Sequence, residues 1–101
     1  MGTTRPLTGA VARVEQRRRQ ESLLRLRWEL ARIGMRVYLR KPRNGRWKLT
    51  VRVPGWTETV LCAGAEDTYA YVTTHGRLLG PVSDVRRIAQ VLSWMVERRR
   101  R

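Results

Sequence analysis

The chain has 101 residues, enough for one domain with a modest hydrophobic core and too few for a second. Apolar residues make up 42% of the sequence, as in globular proteins, whereas 22 Lys and Arg against 8 Asp and Glu give a net charge of +14. Such a charge is typical of proteins that bind nucleic acid or another anionic surface.

The charge is distributed unevenly along the sequence. Residues 1–56 carry 15 basic and 3 acidic residues, residues 57–97 carry 3 and 5, and Arg98–Arg101 add four positive charges. An anion-binding surface is therefore expected in the first half of the chain and in the C-terminal tail. The alternative is codon bias, since Arg outnumbers Lys 20 to 2. A GC-rich genome would not by itself explain the shortage of acidic residues.

The first predicted element is a helix from Ala10 to Ile33, preceded by a tail at residues 1–9 whose Gly, Pro and Thr predict disorder. Gly34 is expected to end the helix in a left-handed conformation. An apolar stripe with 3-4-3 spacing would pack on a core: Leu23, Leu26, Leu30 and Ile33.

The N-terminal half of this helix, residues 10–20, is a basic extension with few apolar neighbours. Its Arg residues are Arg13, Arg17, Arg18 and Arg19. We expect either a solvated helix end or a basic arm that becomes ordered on nucleic acid.

Residues 35–53, with the sequence MRVYLRKPRNGRWKLTVRV, predict a β-hairpin around a loop at residues 42–46. Alternation gives one apolar face: Met35, Val37, Leu39, Trp47, Leu49, Val51 and Val53. The other face is mainly basic: Arg36, Tyr38, Arg40, Lys48, Thr50 and Arg52. One face should pack on a core, and the other should meet water or a polyanion.

The apolar residues also predict the register of this hairpin. If Leu39 pairs with Leu49, the apolar positions of both strands fall on one face. The same register pairs Arg36 with Arg52 and creates a second like-charged pair near the loop. Such pairs cost roughly 0.2–1 kcal/mol each, a cost that an anionic ligand would relieve.

Two further strands are predicted at Thr57–Cys62 and Thr68–Thr74, separated by a loop at Gly64–Asp67. The His75-Gly76 pair then turns the chain toward a short apolar segment, Leu78–Leu79. This segment either forms a fifth strand or remains outside the sheet.

A second helix is predicted from about Asp84 to Glu97 or beyond, with Ser83 as its N-cap. Its apolar stripe repeats the spacing of the first helix: Val85, Ile88, Leu92 and Met95. Both helices should therefore pack on the same face of the sheet. The positive charges of Arg98–Arg101 either interact favourably with the negative end of the helix dipole or bind an anion.

This order of elements predicts an α+β fold in two layers. An antiparallel meander of four strands, or five with the short apolar segment, would carry the N-terminal and C-terminal helices on one face and leave the other open. We expect a disordered tail at residues 1–9, one α+β domain at residues 10–97 and a polybasic tail at residues 98–101. The domain includes the basic helical extension at residues 10–20.

Two short stretches resemble known proteins. The segment NGRWKLTVRV is similar to the first strands of the sheet-type arm-binding domains of phage integrases. The segment GRLLGPVSD, leading into a terminal helix, resembles small uncharacterised helix–sheet–helix proteins of actinobacteria over the last two-thirds of the chain. The second resemblance implies a fold and no function.

Residues that support catalysis are few: one His, one Cys, two Asp and no cluster with metal-ligand spacing. His75 is interpreted as a turn residue and Cys62 as a small buried side chain. No glycine-rich phosphate loop is present in the sequence. We expect no enzymatic activity, no cofactor, no metal and no small-molecule ligand.

No apolar run approaches transmembrane length, and the N-terminal residues lack the apolar stretch of a secretory signal. The single cysteine excludes an intramolecular disulfide. A cytoplasmic location and no membrane partner are therefore expected.

Two functions fit these patterns. The first is binding of DNA or RNA through phosphates, with Tyr38 as a stacking platform. Its candidate residues are Arg36, Tyr38, Arg40, Arg43, Arg46, Lys48 and Arg52 on the hairpin and Arg13, Arg17, Arg18 and Arg19 on the helix. The second is a protein-interaction or homodimerisation module that uses either Trp28, on the helix face opposite the Leu stripe, or an uncovered edge of the sheet. In that case the basicity would reflect codon bias and solubility.

Overall fold

The computed structural model describes residues 8–41, 46–53, 55–65 and 68–100. The elements in chain order are α1 (Thr8–Arg32), β1 (Arg36–Arg40), β2 (Lys48–Val53), β3 (Trp56–Ala65), β4 (Thr68–Thr73), β5 (Leu78–Pro81), a 3-10 turn (Val82–Asp84) and α2 (Val85–Arg100). Neither helix within these ranges is long and apolar enough to cross a membrane.

The five strands form one antiparallel sheet in the order β1-β2-β3-β4-β5, so each strand pairs with its neighbours in sequence. The first hairpin has the predicted register, with Leu39 opposite Leu49 and Arg36 opposite Arg52. The short apolar segment forms the fifth strand and pairs with β4 across a bulge. The predicted α+β fold is thus confirmed in its five-stranded form.

Both helices pack on one face of this sheet because their apolar stripes meet the inward residues of the strands. Leu26, from α1, and Leu92, from α2, are fully buried in the same cluster as Val51 and Val60 from the sheet. A buried hydrogen bond joins the two layers, in which the Tyr71 hydroxyl donates to the carbonyl oxygen of Ser22 at 2.6 Å. Within the described residues, no helix packs on the opposite face of the sheet.

The strand β3 is longer than predicted. Gly64 and Ala65, expected in a loop, pair with Tyr69 and Thr68 of β4, so that part of the loop prediction was wrong. Gly64 has a φ of 118°, and a Cβ at this position would overlap the carbonyl oxygen of Thr68. A glycine here allows the two strands to continue pairing.

The ends of α1 also differ from the prediction. The helix begins at Thr8, within the stretch expected to be a tail, and residues 1–7 lie outside the described residues. It ends at Arg32, and Gly34 adopts the predicted left-handed conformation, with a φ of 90°. Ile33 is 47% exposed and does not join the core. The turn at Gly34 directs Met35 onto the core instead, with its N–H bonded to the Leu30 carbonyl oxygen at 3.0 Å.

The predicted N-cap of the second helix was wrong. Ser83 lies inside the 3-10 turn, whose first flanking residue is Pro81, and no side chain caps that turn. The predicted stripe of α2 does face the core, and two more residues, Ala89 and Val96, are buried with it. The helix continues to Arg100, so much of the predicted tail is helical.

Candidate nucleic-acid interface

The candidate interface begins on the uncovered side of β1 and β2, which we call the open face. Alternation along the strands exposes four basic side chains there, Arg36, Arg40, Lys48 and Arg52, while Leu49 and Val51 between them are buried. The predicted division of the hairpin into an apolar and a basic face is therefore confirmed.

The basic side chains of the open face have no acidic partners. Among the described residues, none of the four forms an ion pair, since the acids that do are Glu15, Glu29 and Glu58. Arg36 lies opposite Arg52, and Arg40 lies opposite Lys48. Like charges thus face each other across the ladder without neutralisation, a costly arrangement that an anion would stabilise.

Tyr38 lies between the two arginines of β1 and is 47% exposed. Its partner across the ladder is Thr50, whose small side chain does not shield the phenol ring. An aromatic ring flanked by cationic groups on an exposed sheet is suited to stacking on an unpaired base whose phosphates contact the arginines.

The open face becomes apolar toward β4 and β5. The outward positions there include Leu61 opposite Val72 and, next to it, Leu78, which is 67% exposed. No outward residue of the described strands is acidic. The face therefore offers a cationic half for phosphates and an apolar half beside it.

The loop end of the hairpin extends the cationic half. Arg46 is exposed, and the Lys41 ammonium lies 5.9 Å from the centre of the Trp47 ring, a distance at which cation–π attraction operates. Arg43, the remaining predicted loop residue, lies outside the described residues.

The α1 extension contains three exposed arginines and a fourth that contacts the end of β3. Arg13, Arg17 and Arg18 are exposed, as expected for a basic arm. Arg19, also a candidate, instead donates a hydrogen bond from Nη2 to the carbonyl oxygen of Gly64 at 2.7 Å and lies 3.8 Å from Glu15. This hydrogen bond holds α1 against the end of β3, so we assign Arg19 a structural role.

The exposed arm and the residues that flank the hairpin loop, Lys41 and Arg46, lie at the same end of the molecule. Leu49 pairs with Val60, so β2 begins near the end of β3 that carries Gly64. Arg19 anchors α1 at that glycine, and the helix residues before it continue past the sheet. The structure thus brings two sequence-distant basic segments to one end, whereas Arg98 lies near the opposite end.

Trp28 occupies the position predicted for it, outside the core. It is 62% exposed, and the Arg32 guanidinium lies 5.3 Å from the centre of its ring. Leu24, one helical turn before it, is 38% exposed and adds apolar surface to this side of α1. Trp28 is the only aromatic residue of α1.

The buried titratable groups of the core show no sign of reactivity. Burial raises the pKa of the Cys62 thiol, against smaller lowering effects of a hydrogen bond from Ser22 and the charge of Arg19. Burial likewise raises the pKa of Tyr71. Within the described residues, no group of three or more His, Cys, Asp or Glu could hold a metal ion.

One acidic residue was missed by sequence reasoning. Glu58 lies on the inward face of β3 and is only 6% exposed. Its position two residues before Val60 and four before Cys62 was a usable signal, because period-2 alternation places all three on one face. The irregular composition of Thr57–Cys62 concealed that alternation.

Comparison of the chain with family models, curated proteins and solved structures found no match.

Proposed function

We propose that this protein is a non-catalytic, cytoplasmic module that binds nucleic acid mainly through phosphates. The observation that carries the proposal is the open face, where Arg36, Arg40, Lys48 and Arg52 are exposed and form no ion pair within the described residues, and where cross-strand neighbours share the same charge. Repulsion between these like charges lowers the free energy of unfolding, and a bound polyanion would replace the repulsion with attraction.

The second part of the proposed footprint is the arm formed by Arg13, Arg17 and Arg18. These residues are exposed at the end of the molecule where the hairpin loop lies. A strand that crosses the open face along β1 and β2 would reach the arm by continuing past Arg46. Tyr38 favours a strand with unpaired bases, since a base within a duplex cannot stack on it.

The experiment is a gel-shift titration with single-stranded DNA, duplex DNA and single-stranded RNA of equal length at several salt concentrations. About six phosphate contacts on duplex DNA would give a slope of log K against log[salt] near −5, with a shallower slope on single strands. Binding that is absent at low salt, or insensitive to salt, would exclude a phosphate-dominated interface.

A second candidate function is self-association through the Trp28 side of α1. The observation in its favour is the 62% exposed indole, with the exposed Leu24 one helical turn before it. Exposed apolar patches of this kind mark interaction sites in soluble proteins. Sedimentation velocity at concentrations from micromolar upward tests it, because a chain that remains monomeric throughout has no such dimer.

A further inference from the structure

A groove of about 530 Å³ lies on the helix-bearing side of the sheet, at the end distant from the hairpin loop. Three separate parts of the chain line it: the start of β3, the end of β4 with the following turn, and the last part of α2. The lining residues are Trp56, Glu58, Thr73, His75, Arg77, Trp94, Met95 and Arg98. Its volume is within the roughly 300–1,000 Å³ typical of small-molecule sites.

The floor of the groove contains a buried carboxylate. Glu58 is 6% exposed, and its Oε2 atom lies 3.3 Å from Nδ1 of His75 and accepts a hydrogen bond at 3.3 Å from the backbone N–H of Thr59. A carboxylate has about four lone-pair sites, and both contacts involve the same oxygen. A buried carboxylate is costly unless hydrogen-bond donors satisfy it. The floor therefore suits a ligand with adjacent N–H donors.

The walls and rim restrict the ligand further. Trp56 and Trp94 contribute indole rings, and Trp94 is 58% exposed, with the Arg98 guanidinium 4.8 Å from its ring centre. Indole rings favour a flat heterocycle. Arg77 and Arg98 place two positive charges at the rim, which disfavours a cationic ligand and favours one with an anionic substituent.

We propose that this groove binds a guanine nucleotide. Guanine presents two neighbouring N–H donors, N1–H and the 2-amino group, which can both donate to the Glu58 carboxylate. Adenine and cytosine present one donor beside an acceptor lone pair, which would meet the carboxylate unfavourably. The indoles stack on the base, and Arg77 and Arg98 contact the phosphate.

This site is separate from the open face, because its sheet residues belong to the face that carries the helices. The same chemistry is available from a free mononucleotide or from an unpaired guanine in a nucleic-acid strand. The groove would then add selection of a particular base to a protein whose open face contacts phosphates and stacks on a base through Tyr38.

The test is calorimetric titration of the full chain with GMP, IMP, AMP and guanosine, supported by quenching of Trp fluorescence. We expect GMP to bind at least about tenfold more tightly than IMP, which lacks the 2-amino group, and than AMP. Guanosine should bind more weakly than GMP because it has no phosphate for the rim arginines.

Two variants assign the contacts. Glu58→Gln keeps the side-chain size, and its amide presents a donor in place of one acceptor, so the preference for GMP over IMP should fall to within about twofold. A purely structural role of Glu58 would not change that ratio. Trp94→Leu, at an exposed position, should weaken GMP, IMP and AMP alike. An unaltered ratio in the Gln variant would overturn the proposal.

The source of the nucleotide is distinguished with a nine-residue oligothymidylate that carries one central guanine. If the guanine-containing oligonucleotide binds more tightly than plain oligothymidylate and this difference disappears in Glu58→Gln, the ligand is a guanine in a nucleic-acid strand. If GMP binds but the two oligonucleotides have equal affinity, the ligand is the free nucleotide. If neither GMP nor the guanine is preferred, the groove is not a guanine site. The Arg36→Thr/Arg52→Thr variant, which alters only the open face, should retain GMP binding even if nucleic-acid binding is lost.

Discussion

Replacing Arg36 and Arg52 by Thr tests whether the open face binds phosphates. The two residues pair directly across β1 and β2, both are exposed, and neither forms an ion pair in the described chain. Thr keeps a high strand propensity and removes one like-charged pair. The free protein should become more stable by roughly 0.2–1 kcal/mol at low salt. For a domain of this size the corresponding rise in melting temperature is about 1–6 °C.

Nucleic-acid binding should change in the opposite direction in this double variant. Losing two phosphate contacts should reduce affinity roughly ten- to hundredfold near 0.1 M salt and flatten the salt slope by about two units. Calorimetric melting and gel-shift titration of the same preparation measure both effects. Few substitutions stabilise a protein while weakening its binding by this mechanism, so the pair of results is more informative than either alone.

A matched control separates the position of the charge from its amount. Arg27 and Arg87 are exposed on α1 and α2, on the helix side, and neither forms an ion pair within the described residues. The variant Arg27→Gln/Arg87→Gln loses the same two charges, and we expect a much smaller loss of affinity. Equal weakening in both variants would mean that overall charge, and not the open face, determines binding.

Four further predictions follow from other contacts. The arm variant Arg13→Gln/Arg17→Gln should weaken binding without lowering the melting temperature, whereas Arg19→Gln should destabilise the fold by about 1 kcal/mol through the lost bond to Gly64. Gly64→Ala should cost more than about 2 kcal/mol in urea unfolding because its Cβ would overlap Thr68. The Trp28→Ala variant should shift any dimer seen in sedimentation velocity toward monomer, and an unchanged profile would remove Trp28 from that interface.

The fourth prediction concerns the stability of the fold at alkaline pH. Folding raises the pKa values of Cys62 and Tyr71 above their ordinary 9.0 and 10.0, so the unfolded chain releases these protons first as pH rises. Stability should be unaffected by these groups below pH 9 and should decrease above it. Tyr71→Phe should reduce the decrease measured by urea unfolding above about pH 10, although the loss of the Ser22 bond lowers its stability at neutral pH.

The hairpin was predictable because both its strands obey the same period and only one register puts their apolar residues together. Leu39 opposite Leu49 therefore determined the position of every basic residue on the open face. The role of Arg19 was not predictable, since it depends on the close approach of α1 to Gly64, 45 residues later in the chain.

Other features depended on how separate segments pack, which local patterns do not reveal. Ile33 continued the helical spacing of the leucines but lies in the turn that ends α1, and Met35 after that turn packs on the core instead. The groove around Glu58 combines residues from β3, the β4–β5 turn and the end of α2. No single stretch of sequence contains enough of it to indicate a site.

The strict sequential order of the meander has a consequence for how the chain folds. Each sheet pairing joins neighbours in sequence, so the loops that must close are short and their entropic cost is small. The slow step should be the docking of α1, because its hydrogen bond from Tyr71 to Ser22 spans 49 residues. We expect the hairpins to form first and the N-terminal helix to become protected from amide exchange last. A newly synthesised chain would then expose the basic residues of β1 and β2 before α1 covers the apolar face of the sheet.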